Sequence, residues 1–141
     1  MTPVQLLMAP IFVHVALTAW VGARTIRARI AAVRAGEARM KEIAVDTKAW
    51  PVPVRLLGNN FDNQFDVPMM WYGCCAMIVA TRLADWALGI LSCLFVLTRI
   101  VHAAIHTGSN DIPMRMRSFL AGFAVLAVMW VWFGIRLFMI G

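Results

Sequence analysis

Residues 118–140 read SFLAGFAVLAVMWVWFGIRLFMI, and this stretch decides the fold. Arg136 is its single charged residue. A helix that crosses a bilayer needs about 20 consecutive, predominantly apolar residues. The stretch therefore predicts a membrane-spanning helix near the end of the chain.

The rest of the chain has the same character. Of its 141 residues, 62% are hydrophobic, and the mean hydropathy is +0.76, which is too apolar for an ordinary soluble domain. The length leaves room for about four or five spans with short connections. We therefore predict an all-α integral membrane protein, a four-transmembrane-helix bundle that forms one domain over residues 1–141. Its predicted spans cover residues 4–26, 60–81, 85–106 and 115–140.

The second predicted span is the least regular. Its apolar core, residues 67–81, is short, so the helix needs to extend backward through residues 59–66, which contain Asn, Gln and Asp. Such polar groups are tolerated at membrane depth only where they face protein or water. The segment therefore predicts a polar site inside or beside the bundle.

The basic residues indicate the orientation of the chain. Eight Lys or Arg lie between Arg24 and Arg55, and Arg99, Arg115 and Arg117 add three on the same side, against Arg82 and Arg136 on the other. The positive-inside rule places the first and third connections in the cytoplasm and both termini on the non-cytoplasmic side. Small size and the absence of retention signals suggest a bacterial inner membrane. Because the basic residues flank apolar runs, we expect membrane lipid as a partner and no nucleic acid.

Polar residues recur at helical spacing in two places and continue into the fourth span. On one continuous helix, steps of four, four and three would place the first group on one face. The second group repeats at three and four near the cytoplasmic end of the third span. Together they predict a pocket for a zwitterionic or multiply carboxylated ligand, although pairs such as Asp66 and Arg99 could instead satisfy each other. The groups are Arg55, Asn59, Asn63 and Asp66; Arg99, His102 and His106; and Arg115 with Arg117.

A metal site is the weaker interpretation of the histidines. His102 and His106 share a helix face, but two ligands are too few for zinc. Cys74, Cys75 and Cys93 lack the spacing of a metal or redox motif. We therefore predict no metal.

Three motifs carry a resemblance that covers nearly the whole chain: NNFDNQFDVP at residues 59–68, RIVHAAIH at residues 99–106, and MRMRS at residues 114–118. They resemble the MAPEG family, which comprises membrane-associated proteins in eicosanoid and glutathione metabolism. The resemblance implies a homotrimer of four-helix subunits that uses glutathione as co-substrate, bound between neighbouring subunits near the cytoplasmic face. The implied glutathione-binding residues are Arg55, Asn59, Asn63, Asp66, Arg99, His102 and His106.

The family pattern Arg-x-x-x-Asn-x-x-Glu fits the second span in two ways. Arg55, Asn59 and Asp62 keep its spacing with Asp in place of Glu, whereas Asn63 and Asp66 lie closer to Pro68, where the family's acidic residue usually sits. We favour Asn63 and Asp66, with Asn59 beside them.

The resemblance also implies a catalytic role for Arg115, which matches the arginine that opens the family's fourth helix. A cation there would stabilise the glutathione thiolate. Two family tyrosines are replaced by His106 and Phe119. The sequence therefore predicts a membrane-bound glutathione transferase or peroxidase-like protein acting on a hydrophobic electrophile or lipid hydroperoxide, or alternatively a non-catalytic membrane scaffold or lipid- or partner-binding subunit. Whether it is an enzyme is left open between these two.

Overall fold

The computed structural model describes residues 1–140, and Gly141, the last residue of the predicted domain, lies outside the described part. The described chain is helical over 82% of its length and contains no strand, which confirms the predicted all-α class. Two of its helical segments are short: a 3-10 turn at Thr47–Ala49 and a π-helical turn at Arg136–Ile140. The helices are α1 Pro3–Arg34, α2 Met40–Ile43, α3 Val52–Asp62, α4 Val67–Ala80, α5 Trp86–Thr107 and α6 Ile112–Ile135.

Helix α1 extends well past its apolar part. Thr2 caps its start, exchanging hydrogen bonds with Gln5, and Pro3 occupies the first turn, where its missing N–H costs nothing. The helix continues through the basic residues that follow the predicted span and ends at Arg34, two residues before Gly36 adopts a left-handed φ of +73°. The first helix therefore continues eight residues beyond the predicted span of residues 4–26.

Helix α5 is the centre of the molecule. It packs between α1 and α6, and its buried residues recur every three or four positions from Leu88 to His106. Helices α5 and α6 approach closely, since a Cβ added to Gly122 would lie 2.6 Å from Thr98 Oγ1. Asp85 ties the far end of this hairpin together: it caps α5 through Leu88 N, and its other oxygen accepts a hydrogen bond from Trp132 Nε1 at 2.9 Å.

By length and composition, three described helices can cross a membrane: Pro3–Arg34, Trp86–Thr107 and Ile112–Met139. The predicted second span is different, because its helix is interrupted between α3 and α4. We call this interruption, residues 63–66, the α3–α4 break. Helix α4 has 14 residues, about 21 Å at 1.5 Å per residue, which is short of a hydrocarbon core of about 30 Å.

The break corrects the prediction of one continuous polar face from Arg55 to Asp66. Residues 63–65 form single turns, and Asp66 begins α4 with a non-helical ψ of −93°. Pro68 in the first turn of α4 has no N–H and therefore cannot bond to the carbonyl of Gln64. Asn63 closes the last turn of α3, with its N–H bonded to the Asn59 carbonyl at 3.1 Å, so the break separates Asp66 from the rest of the predicted stripe.

Candidate functional site

A cavity of about 470 Å³ opens between the α3–α4 break and the start of α6. Its size lies within the range of about 300–1,000 Å³ that is usual for small-molecule sites. Three predicted site residues, Asn63, His102 and Arg115, line it. The rest of its wall is apolar and consists of Ile112, Met116 and Phe119.

Arg99 connects α5 to the break. Its Nη2 donates to the backbone carbonyl of Asn63 at 3.0 Å, and the side chain is 1% exposed. That carbonyl is available because α3 has already ended at Asp62. The predicted pairing of Arg99 with Asp66 is not among the salt bridges of the described residues, which are Arg39–Glu42 and Arg136–Asp85. Arg99 is therefore a buried cation without a carboxylate partner in residues 1–140.

Arg115 is the second cation of the site. Its Nη1 donates to Asn110 Oδ1 at 2.7 Å, while its Nε has no partner within the described chain. Asn110 lies in the α5–α6 turn with a left-handed φ of 51°, a conformation that Asn tolerates better than most residues. An amide oxygen carries no charge, so this partner does not offset the charge of Arg115 at the cavity wall.

His102 is held between α5 and α6. Its Nδ1 lies 3.1 Å from Ser118 Oγ and 3.3 Å from the carbonyl oxygen of Arg115. Its ring also lies beside that of Phe119, with the centroids 6.2 Å apart. The imidazole is therefore fixed in orientation at the cavity.

His106 lies one turn further along α5 and is buried. Its Nδ1 is 3.4 Å from Asn63 Nδ2, and its ring meets that of His102 edge to face at 5.7 Å. No third His, Cys, Asp or Glu joins the two histidines as a metal site in the part of the chain that the structure describes. His106 thus connects the break to the histidine that lines the cavity.

The other predicted binding residues lie elsewhere. Arg55 and Asn59 line a second cleft of about 380 Å³ together with Arg29, Lys48 and Asp62. Asp66 is exposed at the start of α4 and lines neither cavity. The chain therefore divides the predicted residues between two clefts and leaves Asp66 outside both.

Sequence reasoning missed the residues that hold the site in place. Ser118 and Asn110 bond to His102 and Arg115, and Arg29 lines the second cleft together with Arg55. Ser118 follows Arg115 by three residues, a spacing that allows its hydroxyl to bond to that residue's carbonyl, as it does at 2.9 Å. This spacing in the sequence could have indicated the bond between Ser118 and Arg115.

A second polar cluster lies in the middle of the bundle and was not predicted. His14 of α1 bonds to Tyr72 of α4, with 2.8 Å between Nδ1 and the hydroxyl oxygen. Asn60 and Gln64 are also buried and bond to each other. The chain's single tyrosine is thus engaged away from the cavity.

Apolar helices long enough to span a bilayer define a small integral membrane protein, and it has a partly polar cavity beside the α5–α6 hairpin. The sequence profile of the MAPEG family matches residues 7–135, and the chain belongs to that family. It is therefore a membrane protein of the glutathione and eicosanoid metabolism kind. No curated protein and no solved structure matches the chain significantly.

Proposed function

We propose that the protein is a membrane-bound glutathione transferase or peroxidase that acts on a hydrophobic electrophile or a lipid hydroperoxide. The observation that carries this proposal is the pair of arginines beside the cavity, Arg99 and Arg115, neither of which has a carboxylate partner among the described residues. An unpaired cation in an apolar setting is costly unless a ligand compensates it. Glutathione supplies two carboxylates and a thiol that can ionise.

The division of the cavity wall supports this chemistry. Its polar side holds Asn63, His102 and Arg115, whereas Ile112 and Met116 on the apolar side are 69% and 56% exposed. An exposed apolar wall on a membrane helix faces lipid. A hydrophobic co-substrate can thus approach from the bilayer while glutathione occupies the polar side.

Arg115 is the catalytic residue in this proposal. A thiol with an ordinary pKa of about 8.5 is mostly protonated at neutral pH, and the thiolate is the nucleophile. The guanidinium of Arg115 would stabilise the negative charge that develops on sulfur. Asn63 and His102 share the polar side of the cavity with Arg115, and Arg99 and His106 contact Asn63 at 3.0 and 3.4 Å.

We propose further that the active unit is a homotrimer in a bacterial inner membrane, with both termini on the non-cytoplasmic side. The two groups of predicted residues support this, because Arg55 and Asn59 lie on a cleft apart from the cavity. A neighbouring subunit that brings its cleft to this cavity would complete the site. Asp66, exposed beside an apolar helix, also requires cover or water at that depth.

One observation favours the second candidate, a non-catalytic membrane scaffold or lipid- or partner-binding subunit. No tyrosine lines the cavity: Phe119 stands on its wall, and Tyr72 bonds to His14 elsewhere. A hydroxyl donor for the thiolate is therefore missing from the cavity of the single subunit. In this candidate the cationic cavity binds a ligand without transforming it.

Glutathione binding to the purified protein in lipid nanodiscs tests the proposal, with the ultraviolet absorbance of the thiolate followed by stopped flow. The variant is Arg115→Ala, and the matched control is Arg117→Ala, since Arg117 is exposed, lies on the same helix and does not line the cavity. The transferase proposal expects a thiolate signal that Arg115→Ala abolishes and Arg117→Ala retains.

The same experiment separates the two candidates. Binding without a thiolate signal would favour the binding subunit. No binding at millimolar glutathione by a correctly assembled oligomer would reject the transferase proposal. The mass of the oligomer in native mass spectrometry tests the trimer independently.

A further inference from the structure

The hydrogen bonds around Ser118 determine where the proton on His102 lies. Ser118 Oγ donates its only proton to the carbonyl oxygen of Arg115, at 2.9 Å. Both groups near His102 Nδ1, the Ser118 oxygen at 3.1 Å and the Arg115 carbonyl at 3.3 Å, can therefore only accept. A nitrogen that faces two acceptors must carry the hydrogen. In the neutral imidazole, His102 is consequently protonated on Nδ1.

The other ring nitrogen is left as an acceptor. Nε2 of His102 is buried and has no hydrogen-bond partner in the described chain, and the residue lines the cavity. Buried acceptors nearly always have a donor. The ligand of the cavity is the natural source of that donor.

The groups that face His102 come from two helices and the α3–α4 break. Arg99 and His106 lie on the same helix, and Arg115 approaches from α6. Asn63, which faces the cavity from the α3–α4 break, is uncharged. No carboxylate forms a salt bridge with His102 in residues 1–140. An anionic ligand in the cavity would therefore bring a negative charge to a group of cationic and uncharged side chains.

We propose that Nε2 of His102 accepts the thiol proton of glutathione, and that Ser118 positions His102 for this step. The inference rests on the proposed function and adds the acceptor that it lacks. The S–H bond breaks, its electron pair stays on sulfur, and the proton forms the Nε2–H bond. Arg115 stabilises the thiolate but cannot take the proton, because a guanidinium has no free lone pair to accept one.

Counting protons distinguishes this mechanism from stabilisation by Arg115 alone. Native protein in nanodiscs is mixed with glutathione in weak buffer, while thiolate absorbance and a pH indicator dye are recorded together. If His102 takes the proton, thiolate forms with little release of protons to the solvent. In His102→Gln, thiolate formation is expected to slow by about 100-fold or more, and each thiolate that does form is matched by a released proton.

The positioning role of Ser118 has its own variants. Ser118→Ala removes the acceptor that holds Nδ1–H, so we expect glutathione to bind as in the native protein while thiolate forms about 10-fold more slowly, part of the contribution usual for a general base. Ser118→Thr restores the hydroxyl and should restore the rate. Ser109→Ala is the matched control, because Ser109 lies in the exposed α5–α6 turn and makes only a 3.5 Å contact with Asp111 N.

Two results would overturn the inference while leaving the proposed function intact: a full proton released for each thiolate in the native protein, or a native rate in both His102→Gln and Ser118→Ala. Failure of the native protein to bind glutathione would remove the proposed function and this inference together. The binding measurement and the proton count therefore separate the two failures.

Discussion

The α5–α6 hairpin and the α3–α4 segment differ in the continuity of their helices. The hairpin consists of two uninterrupted apolar helices of 22 and 24 residues, whereas the other segment is split into helices of 11 and 14 residues. The unbroken pair supplies rigidity. The broken segment supplies free backbone groups, including the Asn63 carbonyl that Arg99 binds. The candidate site lies where the α5–α6 hairpin meets the α3–α4 break.

The largest effect is expected where the two regions meet. Arg99→Met keeps the length of the side chain and removes its charge, so we expect glutathione to bind about 100-fold more weakly, as for loss of a buried, hydrogen-bonded charge. Stability should hold or rise, because Met buries no unpaired cation. Isothermal titration in nanodiscs measures binding, and thermal unfolding measures stability.

Arg117→Met is the control for Arg99→Met, since it makes the same replacement at an exposed position of α6. We expect native binding there. Equal affinities for native protein and Arg99→Met would show that the buried arginine serves the fold alone.

The second prediction compares how much stability an added methyl group costs in each of the two regions. Gly122→Ala places a methyl group against Thr98 Oγ1, where an added Cβ would lie 2.6 Å away, and should cost about 1–3 kcal/mol of stability. Gly73 of α4 has no atom within 4 Å of an added Cβ, so Gly73→Ala should be neutral or stabilise the helix by up to about 1 kcal/mol. Thermal unfolding in one detergent compares them. A tolerated Gly122→Ala would mean that α5 and α6 pack more loosely than the structure shows.

The uninterrupted region was the predictable one. Helices α1, α5 and α6 follow from long apolar runs, because a run of that length has no other stable structure in a bilayer. The break before Pro68 did not follow, since proline is compatible with the first turn of a new helix as well as with a kinked one. Only the backbone at Asp66 decides between them.

In the candidate site, too, the residues on uninterrupted helices were predicted better than those near the break. His102 and Arg115 were predicted from α5 and α6, and the structure places both at one cavity. Asp66 was expected on the same helix face as Asn59 and Asn63, but helical spacing holds only while the helix continues, and α3 ends before Asp66. Ser118 escaped prediction as a partner of His102, because their contact depends on how closely two helices approach, which spacing within one helix does not encode.

The third prediction concerns Pro68, which lies in the first turn of α4, after the break. Pro68→Ala restores an N–H that can bond to the Gln64 carbonyl, which favours a continuous helix and withdraws the Asn63 carbonyl from Arg99. We expect glutathione binding to weaken by about 10-fold, the equivalent of about 1.4 kcal/mol. Slower hydrogen exchange at residues 66–69 should accompany the loss.

Pro53→Ala is the matched control for Pro68→Ala, because Pro53 occupies the same first-turn position of α3, away from the break. It should leave both readouts unchanged. Native binding in Pro68→Ala together with slowed exchange would show that the break is not needed for the ligand.

The smallest effect is expected at Asn63 itself. Arg99 bonds to its backbone carbonyl, so Asn63→Ala leaves the 3.0 Å contact in place, and it removes the side-chain contact with His106 at 3.4 Å together with one amide of the cavity wall. That long contact is worth little, and we expect glutathione to bind about 3- to 5-fold more weakly, in line with loss of one ordinary hydrogen bond of about 0.5–1.5 kcal/mol. Titration beside Arg99→Met gives the comparison. A loss as large as that of Arg99→Met would place the Asn63 amide, rather than the backbone freed by the break, in direct contact with the ligand.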